Sequence, residues 1–176
     1  MIFPLVIFDD VLWPADSSAT LVHASAMPEP YRGLLAHDQH MTVTVEAYYG
    51  VPVDVRVLEA GREDEFYHRK IVLTLHGTDR IVQYGLVRIN LAFCSDPVRA
   101  AILEQHTPLG RILIEHNVLR RVEPTAFMRV KPGPTLVETM GLAGSESLHG
   151  RTGVIFCNDQ PAIAVLELLS PVGATS

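Results

Sequence analysis

The chain has 176 residues, 48% of them hydrophobic and 19% charged, which suits one domain with a core of its own and no need of disulfides or a metal. A net charge of −6 argues against a nucleic-acid partner, and the basic doublets Arg69-Lys70 and Arg120-Arg121 are isolated, the second reading as part of a solvated face. No apolar run approaches the roughly 18 residues of a membrane span, and the opening MIFPLVIFDD lacks a basic leader, so neither a membrane partner nor a signal peptide is expected and the expected compartment is the cytoplasm.

No internal repeat or linker divides the chain, so residues 1–176 are expected to form a single domain, with 1–39 as an N-terminal wrapping segment. Residues 14–33, rich in Pro, Ser and Ala, are expected as short helices and turns, with one more helical turn over 33–39. Met41 to Tyr48 alternates, placing Val43, Val45 and Ala47 on one face, and is expected as a strand. Gly50 and Pro52 punctuate a turn into a second strand over 53–58, and a surface ion pair between Glu46 and Arg56 would follow. A long strand over 65–76 turns at Gly77-Thr78-Asp79 into another over 80–91. Asp96-Pro97 and Thr107-Pro108 each start a helix, because Asp caps free N–H groups and Pro suits a first turn. A strand over 119–131, a Pro/Gly loop to residue 150, and a hairpin of 152–157 with 162–169 complete the chain. Hairpins with two inserted helices indicate an α+β fold, a single antiparallel β-sheet with helices packed on one side. Cys94 and Cys157 lie far apart in apolar runs and read as buried free thiols.

Two charges break the alternation. Arg69 shares its face with Ile71, Leu73 and Leu75, and Glu167 sits in a strand whose two faces are both apolar, which marks that strand as central. An unpaired buried charge costs several kcal/mol or more. Either the two residues pair with each other, or they flank a cavity whose ligand carries carboxylates, with arginine supplying a forked cation. A glutamate in such surroundings would tend toward a raised pKa, suited to donating a proton. His37 and His40 have the spacing of helix neighbours, but no third metal ligand lies nearby and no metal is expected. Arg88 falls on the opposite, less apolar phase of its strand and reads as a surface residue.

Four short motifs in order resemble the chorismate pyruvate-lyase (4-hydroxybenzoate synthase) family, especially its bacterial and archaeal branch of small chorismate lyase-like proteins. They are His40-Met41-Thr42, Tyr67 to Leu73, Thr107-Pro108-Leu109-Gly110-Arg111, and Leu166-Glu167-Leu168 ahead of Ser170-Pro171, spanning about three quarters of the chain. The resemblance implies a cytoplasmic, cofactor-independent carbon–oxygen lyase that removes pyruvate from chorismate, a small dicarboxylate, to give 4-hydroxybenzoate. It implies Arg69 and Glu167 as catalytic residues, one binding a carboxylate and the other the ring oxygen at the far end, with Met41 and Leu109 lining the pocket. No cofactor is implied, because aromatisation drives the elimination. Residues 14–39 and 131–151 depart most from the family and are expected to cover the pocket; Arg151 stands where the family has a basic residue before its last hairpin.

Two other functions stay open. One is a family member recruited to another elimination or cyclisation in secondary metabolism. The other is a non-catalytic small-ligand-binding module, since the same fold serves as effector domain in some bacterial transcription regulators. Against that module stands the stretch of about 40 residues before the first long strand, which lacks the basic character of a DNA-binding helix-turn-helix.

Overall fold

A computed structural model describes residues 13–172; the opening apolar stretch, and with it the expectation about a signal peptide, lies outside the described residues. Seven strands form one antiparallel sheet: β1 (Ser18–Val22), β2 (Val53–Glu63), β3 (Phe66–Leu75), β4 (Ile81–Asn90), β5 (Arg120–Lys131), β6 (Leu148–Cys157) and β7 (Gln160–Leu169). Their order is β1-β5-β6-β7-β4-β3-β2, so β7, apolar on both faces, occupies the middle. A strand there must bury both of its faces, which explains why its sequence does not alternate.

Odd-numbered residues of β3, β4 and β7 point to one face, where Ile71, Leu73, Val87, Ile89, Ile163 and Val165 join the main core. Four helices cover that face: α1 (Tyr31–Leu35), α2 (Met41–Tyr49), α3 (Asp96–Glu104) and α4 (Leu109–Glu115). Even-numbered residues (Val72, Tyr84, Leu86, Leu166, Leu168) form a second cluster on the opposite face with Leu136 and Met140 of α5 (Pro134–Met140). The α+β class, with the helices that bear on the site on one side of a single antiparallel sheet, is as the periodicity implies.

Four local expectations are corrected. Met41 to Tyr48 is the helix α2, not a strand. Met41 and Val45, one turn apart, are buried while Val43 is largely exposed, a helical rather than an alternating pattern. Packing has overridden the β preference of a Thr/Val-rich segment, and Gly50, at φ 70°, ends the helix in the left-handed conformation. Glu46 consequently pairs with Arg111 and accepts from the Val53 backbone N–H at 3.0 Å, rather than meeting Arg56. The 131–150 loop contains α5 and the start of β6, and the 14–33 stretch contributes the edge strand β1. Cys94 and Cys157 are both free and buried.

Candidate functional site

On the odd face of β3, β4 and β7 the sheet forms the floor of a small cavity of about 40 Å³. Arg69, Gln83 and Glu167 supply its polar floor, and Met41, Leu109 and His40 close it from the helical side. The four residues singled out from sequence, Met41, Arg69, Leu109 and Glu167, all line this one cavity. Helices α2 and α4 reach it because their N-termini touch. A Cβ on Gly110 would stand 3.0 Å from His40 Cβ and 3.1 Å from Thr42 Oγ1, so glycine sets the closeness of that approach. The Thr-Pro-Leu-Gly-Arg segment is thereby explained locally: Pro108 precedes the helix, Leu109 faces the cavity, Gly110 permits contact, and Arg111 ties α4 to Glu46.

Arg69 and Arg151 are the two largest fully buried side chains, each 1% exposed. Arg151 is satisfied. It lies opposite Glu167 across the β6–β7 ladder and its Nε donates to Glu167 Oε2 at 2.8 Å. Its Nη1 donates to the carbonyls of Leu35 and His37 at 3.1 and 2.8 Å, and its Nη2 to that of Gln39 at 2.8 Å. One guanidinium therefore pins the 35–39 segment to the sheet and takes the cavity's carboxylate as its counter-charge. The ordinary alternative, an ion pair between Arg69 and Glu167, does not form; β4 lies between their strands.

Arg69 is in the opposite condition. Its Nε and Nη1 find no hydrogen-bond partner in the protein. Burial lowers its pKa from the ordinary value, with Tyr67 partly offsetting this through its charge and a side-chain hydrogen bond, yet arginine stays charged. Gln83 Oε1 and His40 Nε2, on the same cavity, likewise lack a protein partner. Buried polar groups in native proteins are nearly always paired, so orphan polar atoms from three side chains lining one small space are unusual. Glu167, which lines the cavity, has Arg151 behind it as its counter-charge, so the guanidinium of Arg69 is the cavity's unbalanced charge and favours an anion.

His40 is pushed down to about 4, by burial first and then by the charges of Arg120 and Arg151, so it is neutral near pH 7. Both ring nitrogens of His37 are engaged: Nε2 lies 2.7 Å from the Leu34 carbonyl and 3.1 Å from Thr44 Oγ1, and Nδ1 accepts from the Gln39 N–H at 3.1 Å. Arg88 stacks over Phe66, away from the cavity. Periodicity alone could have singled out Gln83, a polar residue in the phase of the cavity face; Arg151 is invisible to it, because His149, Arg151 and Gly153 give no apolar phase to break. Of the two segments expected as covers, 35–40 lies over the cavity, whereas α5 of the second packs on the far face.

No protein-family model matches the sequence, and no curated protein matches it. Solved structures do share the fold. PhnF from Mycobacterium smegmatis aligns with a TM-score of 0.58 at 13% identity over 77% of this chain, which spans 65% of the length of PhnF. The effector domain of that protein aligns at 0.59 with 14% identity, over 78% of this chain and 91% of the domain. A ligand-binding domain from Bordetella bronchiseptica, assigned to the GntR family of transcriptional regulators, aligns at 0.52 with 13% identity, over 68% and 86% of the two chains. This is the fold expected of a chorismate lyase-like protein, here in regulator effector domains. The expectation of a carbon–oxygen lyase is corrected: the structures that share the fold are effector and ligand-binding domains, and Glu167, the expected acid, is committed to Arg151. No helix among the described residues is long and apolar enough to cross a membrane.

Proposed function

We propose that this chain is a non-catalytic ligand-binding module of a single domain, whose buried Arg69 receives the carboxylate of a small organic anion. The observation that carries the reading is the partnerless Nε and Nη1 of a guanidinium only 1% exposed, facing a cavity. An uncompensated charge in that position costs folding free energy, and an anion that accepts a hydrogen bond from either orphan nitrogen returns part of it on binding. Met41 and Leu109 supply apolar walls, Gln83 a polar contact beside the carboxylate, and Glu167 a fixed negative charge that, held by Arg151, rejects a second anionic group at the far end. The use of this fold as the effector domain of PhnF supports sensing over chemistry.

Isothermal titration calorimetry with acetate and pyruvate, in a buffer free of other carboxylates, tests the reading. Wild-type protein should bind one equivalent, and Arg69→Met should weaken binding by about tenfold or more, the loss expected of a charge-assisted hydrogen-bonded pair. Equal affinities in the two proteins, or no binding to wild type, would remove the site.

A further inference from the structure

A second and much larger recess lies directly outside the cavity. It measures about 540 Å³, within the range of small-molecule sites, whereas the inner cavity of about 40 Å³ admits little more than a carboxylate group. The apolar half of its lining comes from Val43 on α2, Ile114 on α4, Val118 and Leu119 ahead of β5, and Val122 within it; the other half is polar or charged. Leu119 is 66% exposed there, and Val43 and Ile114 are also among the exposed large hydrophobics. Arg120, Arg121 and Asp38 also line it, Arg121 being paired with Glu123 and stacked over Phe156.

His40 belongs to both spaces. Its residue is 8% exposed, and its Nε2 finds no partner in the protein. His40 therefore stands where the cleft and the Arg69 cavity adjoin, and no hydrogen bond within the protein holds its Nε2 there. The segment before it, 35–39, is anchored from behind by Arg151.

We propose that the two spaces are one bipartite site for an elongated amphipathic monocarboxylate, its head on Arg69, its apolar tail passing His40 into the outer cleft against Val43, Ile114 and Leu119. This rests on the reading of Arg69 given above and adds the ligand's length and the residues that measure it. The tail would cover hydrophobic surface that is otherwise exposed, and Arg120 in the lining attracts an anion.

Calorimetry with acetate and octanoate separates the two readings. Wild-type protein should bind octanoate about tenfold or more tighter than acetate, as burial of a hydrocarbon tail requires. The double variant Leu119→Ser, Ile114→Ser should lose most of that gain and keep acetate affinity within about twofold, because both side chains are on the surface. Arg69→Met should weaken both ligands. Acetate binding with octanoate no tighter, or a double variant that binds octanoate as wild type does, would overturn the bipartite site and leave the Arg69 site standing. Octanoate binding that ignores Arg69→Met would make the cleft a separate apolar site and overturn the proposal. Absence of binding by both ligands would overturn both readings.

Discussion

Two arginines of equal burial do opposite work. Arg151 is bonded to Glu167 and to three backbone carbonyls, whereas Arg69 keeps two donors without partners. Replacing each by methionine should therefore have unequal effects. Arg151→Met strands the Glu167 charge and three carbonyls and should cost about 3–5 kcal/mol, while Arg69→Met should be neutral or stabilising within about 1 kcal/mol. Urea unfolding of the two variants measures the contrast. His40 gives a pH dependence of defined sign. Its folded pKa, about 4, lies below the ordinary 6.5, so the unfolded chain binds the extra proton between those values. Stability from this residue is complete above about pH 6.5 and is lost as the pH falls through 4, by roughly 3 kcal/mol in full. His37 and His149 are shifted down as well and act in the same direction. Between pH 7 and 4.5, His40→Asn should lose less stability than wild type in the same urea assay.

At the scale of elements, strand periodicity made Arg69 and Glu167 conspicuous because each sits in a strong apolar phase. The same reasoning misassigned α2, where Thr42, Val43, Thr44 and Val45 alternate in sequence but one turn of helix separates the buried Met41 and Val45. Local β preference lost to tertiary burial, which a single sequence does not display. The partnership of Arg151 with the 35–39 segment was equally illegible, since it joins residues 112 to 116 apart through backbone carbonyls that carry no residue identity. That partnership makes a local prediction. Hydrogen exchange of Arg151→Met should accelerate over residues 36–44, next to the released segment, and change little in the β2–β3 hairpin. Uniform acceleration across the sheet would mean that Arg151 supports the whole fold rather than one cover.

For the whole molecule, the motif order pointed correctly to the fold and wrongly to the chemistry. The resemblance rested on residues that build the cavity: the arginine on β3, the close approach at Gly110, and the glutamate on the central strand. A binding module needs these as much as an enzyme does, and folds host unrelated functions through their sites. In this chain the glutamate is held by Arg151, whose Nε donates to one of its carboxylate oxygens. Incubation with chorismate should accordingly release no pyruvate above the uncatalysed rate.

The central claim is that the unpaired charge of Arg69 is retained for a ligand and not for stability. Thermal melts of wild type and Arg69→Met across a titration with acetate test it in one measurement. The wild-type midpoint should climb as carboxylate is added, while Arg69→Met should start at the same or a higher temperature and stay flat. A variant that melts well below wild type without ligand, together with parallel responses to acetate, would contradict it.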